Sequence, residues 1–441
     1  MNSIWTRLGG CGALALVIGC DVGAQPSKLG TGATSGGGGA ASSTGSTTAT
    51  GVGGAASGTG STTASATSTT GGTGTSSSIG ASSSSSSSGA TSAGASGATS
   101  SSSGTTGSGG SGGASPTSGL PVPPGTGAQP RPAGAAANLE VLPWAGFTSA
   151  VSYTFDDAQP SHIEHWPDLK AEGIRATFYL NTANQSWETG FDAAWQDAEA
   201  SGWELGNHTV HHCYSSGSCP NGDIFTNADE EFDDVTTYIT TTGKQADVWT
   251  GAYPFGDTGY EPTAKPRFFL ARGIYSGTIL PTSTIDPYNL PCIAAVAAGG
   301  EPASTFSADV DTAVSQGAWM IFLFHTIMPT EAANVWYAPT DIASITGSID
   351  HAKSRGDVWI DTVATVGAYW QGTLLVTGTT PAMAGGASVW RWTLPPHFPA
   401  GKFLRVTVDG GNLTQSGTAL TWDPHGYYEV ALDPGALTLS P

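Results

Sequence analysis

The chain has 441 residues and a formal net charge of −20, from 34 acidic and only 14 basic side chains. Such a charge would repel nucleic acid, anionic lipid headgroups and polyanionic polysaccharides, so we expect a neutral or cationic partner and no nucleic-acid function. Residues 139–371 carry the acidic balance, with 29 acidic against 8 basic side chains and a net charge of −21.

Residues 1–20 have the layout of a secretory signal, with an uncharged run over Leu8–Gly19 that is too short for a convincing membrane span. The segment Val17-Ile18-Gly19-Cys20 resembles a bacterial lipobox, which implies a lipid on Cys20 and membrane contact only through that anchor. An ordinary signal cleaved near Ala24 is the alternative. We therefore expect an exported protein, either a lipoprotein in the periplasm or at the cell surface, or a secreted form.

Residues 21–138 consist mainly of Ser, Gly, Thr and Ala. Such a composition cannot bury enough apolar surface to offset the entropy of ordering the chain, so we predict a disordered linker. A Gly/Ser chain of this length has a root-mean-square reach of roughly 55–60 Å, enough to tether a folded domain at a distance from a membrane.

Residues 139–371 alternate short apolar segments with amphipathic or polar ones. This alternation predicts about seven strand–helix repeats and hence a parallel sheet, open or closed into a barrel. The predicted strands are Val151–Phe155, Ala176–Leu180, Trp203–Gly206, Asp247–Thr250, Ile274–Thr278, Met320–Phe324 and Val358–Ile360. The predicted helices are Ile163–Glu172, Ala193–Ser201, Ala228–Thr241, Ala308–Ser315 and Thr340–Ser354.

Residues 372–441 change to alternating strands divided by Gly, Pro and Asn turns, which predicts a small antiparallel β-domain. Trp390, Trp392 and Trp422 are candidates for a sugar-stacking platform, but we favour a place in the core or at the seam between the domains. The predicted strands are Leu374–Thr377, Ser388–Thr393, Phe403–Asp409, Ala419–Asp423 and Tyr427–Leu432.

Two histidines and a pair of aspartates indicate a metal site. His208 and His212 are four residues apart, so on a helical turn their rings project from one face. Asp157 would add an oxygen ligand, with Asp156 beside the metal. Two histidines and one carboxylate with an open position are typical of a hydrolytic zinc-type site, so we expect Zn first, with Co or another divalent metal as alternatives. These residues follow predicted strands, where the sites of parallel α/β folds assemble.

The remaining cysteines are interpreted by their spacing and compartment. Cys213 and Cys219 are close in sequence, and export permits a disulfide between them. Metal ligation by Cys213 is the rival interpretation. Cys292 has no obvious partner, and we expect it to be a buried apolar residue.

Four segments in order along the chain resemble four of the five motifs of the NodB-homology polysaccharide deacetylases, carbohydrate esterase family 4. They are Thr154-Phe155-Asp156-Asp157, His208-Thr209-Val210-His211-His212, Ala252-Tyr253-Pro254-Phe255-Gly256 and Phe322-Leu323-Phe324-His325. The resemblance spans roughly residues 148–370. It implies a distorted (β/α) barrel of about seven parallel strands.

By this resemblance Asp156 is the general base, and Asp157, His208 and His212 hold the metal. The division is physically reasonable because a metal-bound carboxylate is a poor base, whereas its neighbour can accept a proton from an activated water. The backbone N–H of Phe255 would help to stabilise the oxyanion of the tetrahedral intermediate.

The resemblance also makes His325 the general acid, which amide hydrolysis needs because an unprotonated amine leaves poorly. Tyr253, Pro254 and Leu323 would line the substrate pocket. Many family members have an arginine at the position of Ala252, where it steadies the base, and this chain lacks it.

The fourth motif has no clean match, and Asp286 and Asp361 are both candidates for its aspartate. His211 would point away from the two ligands that flank it, so we leave it out of the metal shell. His162 and His165 lie near the first motif, where they could border the cleft, but we favour solvated helix residues.

Taken together, the motifs predict an enzyme: a metal-dependent hydrolase that acts on carbon–nitrogen bonds other than peptide bonds. It would remove N-acetyl groups from N-acetylglucosamine units of a chitin-like or cell-wall glycan, a neutral polysaccharide or oligosaccharide. An O-acetyl xylan esterase with the same site, or a carbohydrate-binding lipoprotein without activity, are the alternatives.

Overall fold

The structure is a computed structural model that describes residues 118–183, 191–297, 300–331, 335 and 337–441. The predicted signal segment, the predicted lipidation at Cys20 and linker residues 21–117 lie outside the described residues. Among the residues described, no helix combines the length and the apolar character that a membrane crossing requires.

The regular elements are numbered in chain order. The helices are α1 (Pro160–Glu164), α2 (Trp166–Ala171), α3 (Phe191–Ala200), α4 (Ala228–Thr241), α5 (Glu261–Ala264), α6 (Ala303–Gln316), α7 (Ile342–Arg355) and α8 (Val363–Thr377). The first strands are β1 (Glu140–Val141), β2 (Ser149–Asp156), β3 (Thr177–Leu180), β4 (Glu204–Asn207), β5 (Thr250–Ala252), β6 (Leu270–Arg272), β7 (Ile293–Ala294), β8 (Trp319–Phe324), β9 (Ile327–Met328), β10 (Thr340–Asp341) and β11 (Val358–Ile360). The later strands are β12 (Ala382–Ala384), β13 (Ala387–Arg391), β14 (Phe403–Thr407), β15 (Asn412–Gln415), β16 (Thr418–Ala419), β17 (Trp422–Asp423), β18 (Tyr427–Ala431) and β19 (Ala436–Ser440).

A parallel sheet forms the centre of the fold. Its strands follow the order β6-β5-β4-β3-β2-β8-β7, and β11 pairs with the first residues of β2. The two edges meet where Arg272 on β6 bridges Leu290, just before β7, and the Gly273 N–H donates to the Leu290 carbonyl at 3.0 Å. The sheet is therefore curled into a distorted barrel, and the predicted NodB-like fold class is confirmed.

Alternation along the strands separates an outer face from the barrel interior. On β2, Val151, Tyr153 and Phe155 belong to the core that packs against the helices. Ser152 and Asp156 have the opposite parity, and the Ser152 hydroxyl accepts a hydrogen bond from the Trp319 indole at 3.0 Å across the interior. Polar side chains at the carboxyl ends of the strands therefore meet inside the barrel, at the end where these strands finish.

Two antiparallel sheets have the orders β1-β14-β18-β17 and β12-β13-β19-β15-β16. Antiparallel pairing was predicted for residues 372–441, but β1, from before the barrel, joins the first of these sheets. Residues 118–138, which the sequence analysis placed in the linker, are ordered against these sheets. Arg131 donates to the Tyr428 hydroxyl at 2.9 Å, and buried Arg405 donates to the Pro121 carbonyl at 2.7 Å. Specific hydrogen bonds hold this Gly- and Pro-rich segment in place, together with the packing of Leu120 and Ala136 on the core.

Helix α8 corrects two predictions. Leu374–Thr377 is the last turn of this helix and not a strand, so the predicted boundary at residue 371 falls inside a helix. The side chain of Thr362 caps its start by accepting from the Thr365 N–H. A side chain at Gly372 would lie 2.7 Å from Leu432, so the glycine lets α8 pack closely on the C-terminal region.

The prediction of a strand over Ile274–Thr278 was also wrong. The strand is β6, Leu270–Arg272, in the buried run that begins with Phe268, whereas Ile274 is 44% exposed. The position of the strand is determined by burial of this apolar run and not by the β-branched residues Ile274 and Thr278 further along the chain.

The tryptophans of the C-terminal region act mainly as core residues. Trp390 and Trp392 are buried in the apolar cluster shared with α8, and the Trp392 indole donates to the Leu432 carbonyl at 2.8 Å. Trp422 is partly buried and donates to the Gln129 carbonyl at 2.9 Å. The favoured interpretation, core or seam, is confirmed for Trp390 and Trp392.

Candidate active site

Three of the predicted site residues form one cluster. Asp157 directly follows β2, and His208 directly follows β4, two strands that flank β3 in the sheet. The Nε2 atoms of His208 and His212 both lie 3.4 Å from Oδ1 of Asp157. The ligand atoms of the three residues all lie within 4.8 Å of one another, so they could hold one metal ion.

The two histidines do not lie on a helical turn, and that part of the prediction was wrong. The segment is an irregular loop in which Thr209 (φ 64°) and His212 (φ 52°) adopt left-handed backbone conformations, as does Asp157 (φ 76°). The Thr209 hydroxyl accepts from the His212 N–H at 3.2 Å, which ties the loop together. Non-glycine residues in this region cost energy and concentrate at functional sites.

Hydrogen bonds orient the ligand side chains. Nδ1 of His208 lies 2.8 Å from the Ala252 carbonyl and donates to it, which leaves the Nε2 lone pair directed at the cluster. Nε2 of Gln159 donates to Oδ2 of Asp157 at 3.3 Å, and Gln159 in turn accepts from the Thr326 hydroxyl at 2.5 Å. Oδ2 of Asp157 is therefore occupied by a protein partner.

The other oxygen of Asp157 provides the test of whether a cation fits. Oδ1 is buried and makes no hydrogen bond, although buried polar atoms are nearly always satisfied. It faces the Nε2 atoms of His208 and His212. A carboxylate oxygen and two imidazole nitrogens are ligands that a divalent cation such as Zn²⁺ binds in proteins. The three residues therefore fit a metal ion.

The protonation states of Asp157 and His212 agree with metal ligation, whereas the raised pKa of His208 favours a proton that a bound cation would have to displace. Burial opposes the charge on Asp157, but His212, His208 and His325 outweigh it, and the pKa of Asp157 falls far below its ordinary value. Burial lowers the pKa of His212 to about 4, so its ring is neutral at pH 7. Burial would also lower the pKa of His208, but Asp156 and Asp157 reverse this effect and raise it. An ionised carboxylate beside a neutral imidazole is what metal ligation requires.

His211 has a different function in the loop. Its ring nitrogen Nδ1 lies 2.7 Å from Oε1 of Glu231, a buried carboxylate on α4, and its backbone N–H donates to Oε2 of Glu231 at 2.8 Å. His211 is not part of the cluster of Asp157, His208 and His212, as predicted. Glu231 thus anchors the loop at the residue next to the ligand His212.

The residue that sequence analysis missed is Arg272. Its Nη2 lies 2.7 Å from Oδ1 and 2.5 Å from Oδ2 of Asp156, and both side chains are buried. Arg272 on β6 is the direct register partner of Ala252 on β5. Arg272 therefore reaches Asp156 from the strand next to the one that carries Ala252.

Three further contacts hold the Arg272 guanidinium. It lies 5.2 Å from the centre of the Tyr179 ring, donates to the Gly273 carbonyl at 2.9 Å, and its Nη1 lies 3.8 Å from Sγ of Cys292. Cys292 is buried and free, as predicted. A signal was present in the sequence, because an arginine inside an apolar strand needs a buried acidic partner.

His325 follows β8 and approaches the cluster from the opposite side to the His208 loop. Its ring is partly exposed, but Nδ1 is buried without a hydrogen-bond partner. Burial lowers the pKa of His325, while Asp157 and Asp156 oppose that effect. The Tyr337 ring lies 5.0 Å from the His325 ring. His325 therefore presents a titratable nitrogen inside the site.

The third motif forms a turn beside the ligands. Phe255 has φ 57°, and its ring lies 4.5 Å from that of His212. Pro254 and Leu323 are buried. Tyr253 packs with Tyr260 in the core under the helices, so the structure does not bring its ring to the cluster.

The candidates for the fourth motif lie elsewhere. Asp286 is exposed and accepts from the Tyr288 N–H at 2.9 Å. Asp361 is buried after β11, where it pairs with Arg175 and accepts from the Trp359 indole at 3.1 Å. Neither contributes to the Asp156–Arg272 pair.

The expectation that His162 and His165 are solvated was wrong. His162 is buried, with Nε2 2.8 Å from the His325 carbonyl, and His165 is 8% exposed, with Nε2 2.6 Å from the Pro329 carbonyl. Both rings fix the backbone around His325.

A disulfide joins Cys213 and Cys219, so Cys213 is not part of the cluster of Asp157, His208 and His212.

Part of the chain matches the model of a known protein family. Residues 148–265 match the family model described as Polysaccharide deacetylase. This segment contains the first three motifs, while His325 lies beyond it. This segment of the chain is therefore similar to the polysaccharide deacetylases, as the motif resemblance implied. No curated protein sequence matches the chain.

Solved structures with a similar fold include a T48 deacetylase with substrate, at 14% identity over 50% of this chain and 91% of that one, TM-score 0.35. The Xyl-CE4 domain of a multidomain xylanase from the hindgut metagenome of Trinervitermes trinervoides matches at 18% identity over 54% and 95%, TM-score 0.33. A family 4 acetyl xylan esterase from Clostridium thermocellum with cobalt matches at 17% identity over 49% and 89%, TM-score 0.33.

Proposed function

We propose that this protein is a metal-dependent hydrolase that removes N-acetyl groups from N-acetylglucosamine units of a neutral polysaccharide. The observation that carries the proposal is the unsatisfied Oδ1 of Asp157, buried 3.4 Å from the Nε2 atoms of both His208 and His212. A non-catalytic binding protein would have no need to maintain this donor set beside a buried Asp156–Arg272 pair.

Asp157, His208 and His212 would hold the cation, and their nitrogen and oxygen donors suit Zn²⁺ or Co²⁺. A divalent cation supplies a Lewis acid that lowers the pKa of water and polarises a carbonyl. The protein prepares this site in advance, because the Ala252 carbonyl and Gln159 fix the two side chains that they contact.

Asp156 acts as the general base. It lies next to the ligands, with Oδ2 3.6 Å from Nε2 of His208, and is not one of the three clustered donors. Arg272 holds its carboxylate in one orientation through both oxygens. In the reaction Asp156 takes one proton from the attacking water while the new C–O bond forms at the acetyl carbon.

His325 acts as the general acid and Phe255 as the oxyanion donor. When the C–N bond breaks, His325 gives a proton to the leaving nitrogen, so the products are acetate and a free amine. The ring of Phe255 packs 4.5 Å from the ring of His212, which supports a place for the Phe255 N–H near the developing oxyanion.

The charge of the domain supports a neutral substrate. With a net charge of −21 over residues 139–371, the surface disfavours polyanionic polymers. An acid at His325 favours an amide over an ester, because an alkoxide needs less protonation to leave. N-acetylated glycan is therefore the proposed substrate, and acetylated xylan is the comparison that tests it.

The experiment is acetate release from acetylated chitooligosaccharides and acetylated xylan, before and after metal removal by a chelator. We expect release from the chitooligosaccharides, loss with the chelator and recovery with Zn²⁺ or Co²⁺. Release from xylan alone would replace the amide substrate with an ester. Full activity without metal would overturn the mechanism, and no release from either substrate with metal bound would favour the binding protein.

We also propose that the chain is exported and anchored by a lipid on Cys20. The Cys213–Cys219 disulfide supports an oxidising compartment. A Cys20→Ser variant should lose its partition into membranes while remaining exported. If it still fractionates with membranes, the lipid anchor is excluded.

A further inference from the structure

The loop closed by Cys213 and Cys219 presents an aromatic ring that the chemistry above does not use. Cys213 is buried directly after the ligand His212, and Tyr214 follows it. The Tyr214 ring stacks on Phe255, with ring centres 4.4 Å apart and planes inclined by 19°. Phe255 contacts His212, so the two aromatic rings lead from a ligand to the surface.

Hydrogen bonds to Cys213 and Ser215, on either side of Tyr214, hold the start of this loop in place. The Ser215 N–H and hydroxyl donate to Oδ2 of Asp257, at 2.8 and 2.7 Å, which ties the loop to the third-motif turn. The Tyr260 hydroxyl donates to the Cys213 carbonyl at 3.1 Å. The position of Tyr214 is therefore set before any ligand arrives, and such pre-organisation lowers the cost of binding.

The surroundings of Tyr214 are apolar and accessible. The Tyr214 ring is only partly buried, and one of its faces is covered by Phe255. Ile274, 44% exposed, packs against Gly256 beside Phe255. A flat aromatic surface beside a reaction centre suits a ligand with a flat apolar face and polar edges.

We propose that Tyr214, supported by Phe255 and the disulfide loop, is a stacking subsite for the pyranose ring next to the unit that is deacetylated. The proposal rests on the proposed function. It adds a reason why a polymer would be preferred to a single sugar, because the C–H face of a neighbouring sugar packs on Tyr214 while the acetyl group of that sugar stays outside the cluster of Asp157, His208 and His212.

The test uses metal-loaded enzyme, chitooligosaccharides of two to five units, and a small aryl acetate as the reference substrate. Tyr214→Ala should lower kcat/KM for the four- and five-unit substrates about tenfold relative to the aryl acetate, the size expected when one aromatic anchor is removed. Tyr214→Phe keeps the flat face and should match the wild type. Tyr214→Leu keeps bulk without a flat face and should resemble Tyr214→Ala.

Ile224→Ala is the matched control, because Ile224 is an 81% exposed side chain a few residues beyond the disulfide. It should leave all rates at wild-type levels. Equal losses on the aryl acetate and the oligosaccharides in Tyr214→Ala would mean that the ring only supports the loop, and unchanged oligosaccharide kinetics would exclude the subsite.

Failure of the proposed function can be recognised separately by calorimetric titration of the metal-loaded wild type with the five-unit oligosaccharide. Binding without acetate release would overturn the proposed function, and the subsite would then be judged by whether Tyr214→Ala weakens that binding about tenfold. Absence of both binding and turnover in the wild type would overturn the function and the subsite together.

Discussion

Arg272 and Asp156 form a buried ion pair inside the barrel, with Nη2 2.7 and 2.5 Å from the two carboxylate oxygens. The pair joins β6 to β2, strands at the edge and near the centre of the sheet. Arg272 is also the register partner of Ala252 on β5, so it reaches Asp156 from the strand beside the third motif.

Replacement of Arg272 should damage both folding and activity. Arg272→Gln leaves the Asp156 carboxylate buried without a cation, a change that typically costs about 3–5 kcal/mol in the free energy of unfolding. Denaturant unfolding and kcat should both fall, and Arg272→Lys should recover only part of each. Adding Ala252→Arg to Arg272→Gln should restore activity, because the two positions are neighbours. Full activity in Arg272→Gln alone would refute a role for the pair.

The contact between Glu231 and His211 should control the affinity of the site for metal. Glu231→Ala removes the acceptor of both the ring and the backbone N–H of His211, so metal affinity should fall about 10–100-fold, the range for partners that orient ligands. His211→Ala keeps the backbone contact and should retain bound metal. Metal content after dialysis against a competing chelator measures the difference. Loss of metal in His211→Ala would mean that the wrong histidine pair was chosen.

The ordered part of the predicted linker should be needed for stability. Deletion of residues 26–117 should leave the melting temperature unchanged. Deletion of 26–137 removes the contacts of Arg131 and leaves buried Arg405 without the Pro121 and Leu120 carbonyls, so the melting temperature should fall. Arg131→Ala should show a smaller decrease. Equal melting temperatures in both deletions would show that residues 118–137 do not stabilise the fold.

His325→Ala should separate amide from ester chemistry. Without the acid, amide hydrolysis should fall about 10²–10⁴-fold, whereas an aryl acetate, whose leaving group needs no proton, should lose much less. Metal content should stay at the wild-type level because His325 is outside the three-residue cluster. Parallel losses on both substrates would assign His325 another task.

The sequence predicted those parts of the fold that depend on local pattern. Helix α4 over Ala228–Thr241 and strand β11 over Val358–Ile360 were predicted at the observed bounds, since an amphipathic period or a short apolar run defines each. Leu374–Thr377 was predicted as a strand because its apolar residues form a run. In the structure it is the last turn of α8, because that helix packs between the parallel sheet and the C-terminal sheets.

The site was predicted in its residue types and only partly in its geometry. The Asp157, His208 and His212 cluster follows from the motifs, but their loop depends on left-handed conformations at Thr209 and His212 that residue spacing does not reveal. Arg272 escaped notice because its partner Asp156 is distant in sequence, and only the curl of the sheet brings β6 and β2 together.

The central claim is that Asp157 holds the metal and Asp156 moves the proton, and a parallel measurement of metal content and kcat in two variants tests it most directly. Asp156→Asn should keep its metal while kcat falls about 10²–10⁴-fold. Asp157→Asn should lose metal and rate together, with part of the rate restored by excess metal. If Asp156→Asn loses the metal and Asp157→Asn keeps it, the assigned roles are reversed, and full activity in both variants would show that this cluster is not the active site.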